Sequence, residues 1–538
     1  MMKLLDIESS NKDLNVWEEK GYILPKYNRQ IVKENTFQEP EWIHFGAGNI
    51  FRAFLSSALQ EILNEKYYNK GVIVCEGFDH EIIDKAYKPY NNLSLLVLLK
   101  SDGEIDKKVI ASIIDSINVN LENESYKKLE MIFKKESLKM VSFTITEKGY
   151  SLLDSQGDFL NIVKEDFKNG PDGSRHTMGI ITSLLYKRFL VGEYPIALLS
   201  LDNCSHNGDK VKSSVVEYAN RWEEEGFVPK QFVQYINDNN KVSYPWSMID
   251  KITPRPDKKV KKLLEDEGFE DTDIIITRKN TYTSPFINAE ETEYLVIEDS
   301  FPNGRPPLEK AGIIFTDRET VDKVEKMKVC TCLNPLHTAL ALFGCVRGYS
   351  LISEEMKDPL LKKLVYKMAY EETIPVVVDP KVISPEQFLR DVLEKRLTNP
   401  FMPDSPQRIA TDTSQKLAIR FGETLKEYKK RNMDLNKLVC IPLVIAGYLR
   451  YLMAIDDNGE FFELSSDPLL DEMREVVNNI KIGEVNIDIS KFNSLLRKDS
   501  IFGLDLVESG LADKIIDMFK DMIVKKGAVK RTLEKYLN

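Results

Sequence analysis

The hydrophobic pattern of this chain changes period once, near its middle, and that change restricts the architecture more than any other feature. In the first half, short β-branched and aliphatic runs recur: "EWIHF", "GVIVCEGF", "LSLLVLL", "KMVSFTIT", "YPIALLSLD" and "DIIITRK". Amphipathic stretches separate them. Strands alternating with helices predict a largely parallel sheet covered on both faces. From about Thr316 onward apolar residues recur at helical spacing instead, as in "ISPEQFLRDVLEKRL", "TSQKLAIRFGETLKEYKKR" and "LLDEMREVVNNI". That half is expected to be mostly α-helical. Between the two lies "DSFPNGRPPLEKAG", Asp299 to Gly312, whose prolines and glycines disfavour regular structure and mark a domain crossing. Two domains are expected, 1–300 and 301–538, because 538 residues exceed what one ordinary core organises. No internal repeat is visible, which disfavours a solenoid.

With 42% apolar and 30% charged residues, the chain falls among folded globular proteins rather than disordered ones. A formal charge of -11 argues against a general nucleic-acid binder while permitting a local basic pocket. The opening "MMKLLDIESSNKDLNVWEEKGYILPKYNRQ" lacks the apolar core of a signal peptide, and no later run looks long enough to span a bilayer. A cytoplasmic protein without a membrane partner is expected. The six cysteines, Cys75, Cys204, Cys330, Cys332, Cys345 and Cys440, are too scattered for a disulfide framework and fit a reducing compartment. Zinc requires paired ligands at two places, whereas only Cys330 and Cys332 are close and only His337 stands opposite them. Buried structural thiols and no metal are expected.

"WIHFGAGNIFRAFLSSALQEIL" reads as a strand, a glycine turn and an amphipathic helix. In a Rossmann unit the first glycine, here Gly46, permits the tight turn, and the second, Gly48, lets the backbone approach a pyrophosphate at the helix N-terminus. Phe51 stands where the third glycine is usual. The turn from Gly46 through Gly48, Asn49, Ile50, Phe51 and Arg52 is the candidate dinucleotide site. "GVIVCEGFD" then ends a second strand with Glu76 and Asp79, where a carboxylate accepts hydrogen bonds from a ribose diol and repels a 2'-phosphate, favouring NAD over NADP. Two solvated acids after a strand fit the same residues.

In "KVCTCLNPLHTALALFG", Asn334 before Pro335 predicts a helix start, the asparagine capping and the proline at the first helical position. His337 follows one turn in, and Lys328 falls on the segment before the cap, so the three polar groups converge where anionic oxygen is stabilised. A lysine desolvated beside a positive nicotinamide holds its proton less tightly and can act as general base toward an alcohol. From spacing alone, a surface lysine, a cap and a satisfied core histidine fit better.

These motifs resemble, in order and over most of the chain, those of the long-chain polyol-specific dehydrogenases, which include mannitol dehydrogenases and hexuronate reductases. The resemblance runs from "LPKYNR" through "HFGAGNIFRAF", "SFTITEKGY", "LLSLDNCSHNG", "YPWSMIDKITP", "VIEDSFPNGRPPLEKAG" and "EKMKVCTCLNPLH" to "RIATDTSQKLAIR". It implies an α/β architecture, a Rossmann-type doubly wound domain joined to a mostly helical one, and metal-free hydride transfer between NAD(H) and a secondary alcohol. Carried over by motif, Lys328 resembles the acid/base lysine, His337 the histidine that orients substrate, and Asn203 with Asn334 the pair holding the reacting oxygen. Glu325 resembles the glutamate relaying protons to the lysine. The same motifs imply cofactor contacts at Thr146 and Glu147 and substrate contacts at Asp202, Asp250, Arg408 and Lys416.

In the family pattern four residues separate lysine from asparagine, whereas five separate Lys328 from Asn334. Lys326 competes for the role but is spaced worse. An arginine fork with a lysine suits a carboxylate better than a neutral polyol. Arg420 fits the outer face of an amphipathic helix and is left out of the site. "CTCLNPLHTALALFGC" is similar to the hexuronate-type members, which implies a sugar-acid ketone as substrate; a neutral polyol is the alternative. A noncatalytic NAD or sugar-acid sensor is the alternative of another class, but it has no need of an acid/base. Monomer and homo-oligomer both remain open.

Overall fold

The computed structural model describes residues 2–9, 14–120 and 124–538. Six strands, β1 (Trp42–Phe45), β2 (Val72–Glu76), β3 (Ile113–Asn118), β4 (Met140–Phe143), β5 (Ile196–Ser200) and β6 (Val242–Ser243), form one sheet. Their order is 3-2-1-4-5-6, and every pairing is parallel. This is the order of a dinucleotide-binding sheet, in which a ligand lies beyond the carboxyl ends of the strands where the order reverses, here between β1 and β4.

Successive side chains of a strand point to opposite faces. Ile43, Phe45, Ile73, Val141, Phe143 and Leu198 lie in one buried cluster, together with residues of the helices Thr177–Gly192 and Asn207–Glu224. Trp42, Val72, Val74, Met140 and Leu199 lie in another, together with residues of the helix Ser56–Asn64. Both faces are therefore covered, which explains why the strands read as nearly continuous apolar runs. The expected doubly wound α/β domain is what the chain forms.

Two of the six runs go elsewhere. Ser94–Leu99 joins a separate four-stranded sheet, antiparallel to Ile105–Ile110 and parallel to Phe286–Glu290, and "DIIITRK" yields only the two-residue strand Ile275–Ile276. Apolar runs identify strands but not their sheet partners.

The chain divides into two compact units, residues 1–99 with 104–322 and residues 100–103 with 323–538. The proline-rich stretch from Asp299 lies inside the first unit. It connects Tyr294–Glu298 to the parallel strand Ile314–Thr316, with Arg305 bridging Asp299 and Glu309. The passage between units falls instead within the helix Arg318–Lys326.

The second unit is helical as expected; beyond Lys323 the only strand-like feature among the described residues is an isolated bridge between Ile455 and Phe461. Asn334–Arg347 packs on Cys440–Tyr451, which packs on Ala512–Ile523. One correction concerns length. Residues 318–347 form a single helix that is long and apolar enough to cross a membrane, but 78% of its apolar window is buried inside the protein. It is a core helix, and the sequence hid it because a π turn at Met327–Cys332 joins two stretches that read as separate.

Candidate active site

The glycine turn after β1 is shaped by β4. Gly46 has φ 109°, and a Cβ there would sit 2.2 Å from the carbonyl oxygen of Thr144. Gly48 has nothing within 4 Å of the place its Cβ would occupy, so the turn keeps open room over its second glycine. That combination fits a pyrophosphate approaching backbone amides. Phe51, at the position of the third glycine, is buried and stacks on His44 at 3.9 Å, and the chain enters its helix through a π turn, Phe51–Leu55. Burial pushes His44 down to about 3, so the stack is between neutral rings. Gly46→Ala is expected to cost roughly 1–3 kcal/mol in backbone strain alone and to weaken NADH binding, read by fluorescence titration beside the thermal midpoint.

Several charged residues expected to face the cofactor are engaged by the protein itself. Glu76 accepts hydrogen bonds from the N–H groups of Ala47 (2.9 Å), Phe78 (2.8 Å) and Asp79 (3.0 Å). Its carboxylate ties the end of β2 to the glycine turn. Asp79 accepts from the Thr277 hydroxyl at 2.6 Å. Arg52 is buried, donates to the Ser284 carbonyl (2.8 Å), Asn49 (2.8 Å) and Thr283 (2.9 Å), and lies over the Tyr87 ring. Asn49 is thereby held at the turn, and Ile50 follows it half-buried.

Beyond β4, Asp202 accepts from the N–H groups of Ile145 (2.9 Å) and Thr146 (3.0 Å) and from the Tyr150 hydroxyl (2.5 Å). Burial raises the Asp202 carboxyl above its ordinary range, against the pull of these donors. The sequence expectation placed Asp202 on substrate; its oxygens are engaged by two backbone N–H groups and the Tyr150 hydroxyl. Asn203 follows in the loop between β5 and the helix Asn207–Glu224, Glu147 is exposed in an ion pair with Lys210 (2.8 Å), and Asp250 ends the buried strand Ser247–Asp250. Tyr150 was overlooked in the sequence, although it closes the quoted "SFTITEKGY".

In the second unit Lys328 lies on the π turn, 3% exposed, with its carbonyl accepting from the Leu333 N–H at 3.1 Å. Asn334 does not cap: it is the first residue of its helix, Leu333 (φ -126°, ψ -65°) holds the cap position after the π turn, and no side-chain cap bond forms. The cap expectation was displaced by one residue. The consequence favours chemistry, since among the described residues no hydrogen bond engages the Asn334 carboxamide. A π turn takes up one residue more than an α turn, so Met327–Cys332 offers a place for the extra residue between Lys328 and Asn334. Glu325 lies one turn before Lys328, half-buried.

His337 is enclosed by charge. Its Nε2 is buried without a hydrogen bond, 3.6 Å from Asp404, which pairs with Arg408. Burial drives the imidazole down to about 4, opposed by Asp404 and reinforced by Arg420, Arg408 and Arg396. Lys416 donates to the Thr411 carbonyl, and burial, then Arg420, lowers its proton affinity. Arg420, excluded on sequence, is half-buried and donates to Thr338 on the His337 helix; loss of solvent brings it down to about 10. Cations thus outnumber Asp404 around a neutral histidine. The cysteines of this helix pack: burial pushes Cys332 and Cys345 up to about 12.

Residues 40–310 match the family model described as "Mannitol dehydrogenase Rossmann domain", and residues 320–523 match "Mannitol dehydrogenase C-terminal domain". A D-mannonate oxidoreductase of Thermotoga maritima is 50% identical over 527 residues, 97% of each chain. Among solved structures, a D-sorbitol dehydrogenase in substrate-free form is similar with TM-score 0.79 and 26% identity, covering 95% of this chain and 97% of its own. A Pseudomonas fluorescens mannitol 2-dehydrogenase, solved with NAD and D-mannitol, shares the fold with TM-score 0.69 and 24% identity, covering 100% of this chain and 99% of its own.

Proposed function

Because the chain belongs to the mannitol dehydrogenase family and is an NAD-dependent oxidoreductase, we propose that its substrate is a sugar acid: NADH reduces the ketone of D-fructuronate to D-mannonate, and the reverse reaction makes it a D-mannonate oxidoreductase. The observation that carries this reading is the cationic cluster around His337, where Arg420, Arg408 and Arg396 act against Asp404 alone, with Lys416 beside Arg420 and under the influence of Asp412 and Asp467. A second carboxylate, brought by the substrate, balances such a cluster; a neutral polyol does not. The D-mannonate oxidoreductase of Thermotoga maritima, 50% identical, agrees with it.

The glycine turn fits the dinucleotide, and bound there it supplies the hydride to the ketone carbon. Lys328 Nζ gives its proton to the ketone oxygen as that oxygen becomes an alkoxide. The Asn334 carboxamide N–H steadies the developing charge, and Asn203 keeps the carboxamide role that the resemblance assigns to it. Glu325, one turn before Lys328, passes the replacement proton from solvent. His337 stays neutral well below physiological pH, so it orients substrate hydroxyls by hydrogen bonding and leaves charge recognition to Arg408 and Lys416. The enzyme is placed in the cytoplasm.

Nicotinamide absorbance with purified protein and NAD tests the reading. D-Mannonate is expected to turn over at least tenfold faster, in kcat/KM, than D-altronate or D-mannitol. Preference for altronate would make it a tagaturonate reductase, and preference for mannitol would remove the carboxylate argument. NADH binding without turnover on any of the three would favour a sensor.

A further inference from the structure

Thr146 has φ 65° and ψ 160°, a combination that is nearly glycine's alone and that a β-branched side chain adopts only when its surroundings impose it. What imposes it is Asp202. Both of its oxygens are engaged, one by the Thr146 N–H at 3.0 Å and the other by the Ile145 N–H at 2.9 Å and the Tyr150 hydroxyl at 2.5 Å. Tyr150 is itself buried and anchored to Ser200 at 2.9 Å, so the clamp is fastened to the end of β5.

In a planar trans peptide the C=O points opposite to the N–H of the next residue. With the N–H groups of Ile145 and Thr146 directed at Asp202, the carbonyls of Thr144 and Ile145 are directed away from it. Thr144 bears this out: its oxygen lies against Gly46, 2.2 Å from the position a Cβ would take. Among the described residues no hydrogen bond reaches either carbonyl oxygen. The Thr144 acceptor thus stands beside the glycine turn, with the Ile145 carbonyl one residue on, at the reversal between β1 and β4 where such sheets bind ligands.

We propose that Asp202 is a positioning residue for the dinucleotide: it holds Thr146 in a glycine-type conformation so that the Thr144 and Ile145 carbonyls accept hydrogen bonds from the ribose hydroxyls or carboxamide of the cofactor. The inference rests on the dinucleotide reading of the glycine turn. It differs from a substrate role for Asp202 in predicting that the carboxylate acts only through the backbone at Thr146.

The test is a double-mutant cycle read by NADH fluorescence titration, with thermal midpoints beside it. Asp202→Asn, which sets an amide N–H against a backbone N–H, is expected to weaken NADH binding about tenfold. Thr146→Gly alone is expected to raise the thermal midpoint, because glycine adopts this conformation without strain. In the Thr146→Gly background Asp202→Asn is expected to cost no more than about threefold, since the imposed conformation no longer needs imposing. Should Asp202→Asn not fold, Tyr150→Phe replaces it in the same cycle, with the same pattern expected.

An equal cost in both backgrounds, or a lowered midpoint for Thr146→Gly, would overturn the inference. So would an unchanged NADH dissociation constant with a raised KM for the sugar acid, which would return Asp202 to the substrate. Wild-type protein that binds no NADH would instead overturn the dinucleotide reading itself.

Discussion

Lys328→Ala is expected to lower kcat for the sugar acid about a thousandfold while leaving the NADH dissociation constant unchanged. A positioned acid or base contributes between about a hundredfold and ten-thousandfold, and reducing a ketone delivers one proton to oxygen for each hydride delivered to carbon. Lys328 is the only lysine or arginine among residues 327–337, and it is buried on the π turn. Lys326, the rival on sequence, is exposed two residues earlier, which places it on nearly the opposite side of the helix. It is therefore no substitute. Stopped-flow reduction measures the step, and a small primary amine added to the variant is expected to restore part of the rate. A kcat within threefold of wild type would remove Lys328 from the chemistry.

Lys328, Asn334 and His337 were legible as a group because their order and identity survive in the linear sequence, whereas the local geometry did not. "NPLH" carries the pattern of a helix start, and a helix does start there, but Leu333 rather than Asn334 holds the cap position and a π turn ends directly before it. A π turn has no composition of its own; it arises where one residue too many must fit between two helical stretches anchored elsewhere. The count of five residues between Lys328 and Asn334 was the only trace of it in the sequence.

In the first unit the strands were legible from their apolar runs and the cofactor turn from its glycines. What did not show was which backbone N–H groups the acidic residues engage. Glu76 and Asp202 both follow or end strands of the parallel sheet, where loops expose backbone N–H groups that require acceptors. Sequence shows a carboxylate but not the amides that claim it, and those amides come from segments up to 57 residues away. Arg420 was misread for the converse reason: its helical spacing fits an exposed face, but its partner Thr338 is 82 residues distant.

Glu355→Gln is expected to flatten the alkaline loss of stability of the folded chain. Glu355 is fully buried, both carboxyl oxygens lack a hydrogen bond, and a Cβ on Gly344 would come within 2.0 Å of one of them. Burial, with Asp358 and Glu354 nearby, holds its carboxyl protonated well above the ordinary value of 4.5. The other charge close by, Arg347, is paired with Asp358 at 2.9 Å, and Tyr349 donates to the same carboxylate. Among the described residues the buried acid has no counter-ion.

Below the ordinary value both folded and unfolded chains carry the proton, and stability is complete. Above it the unfolded chain releases the proton while the folded chain retains it, so stability falls by up to about 1.4 kcal/mol for each pH unit until the raised folded value is passed. Glutamine keeps the shape and has no proton to lose. Urea midpoints of wild type and variant, measured from about pH 5 to about pH 9, are expected to diverge steadily, the variant gaining with each step. Parallel curves would mean that Glu355 ionises in the fold without penalty, against its isolation between Gly344 and Asp358.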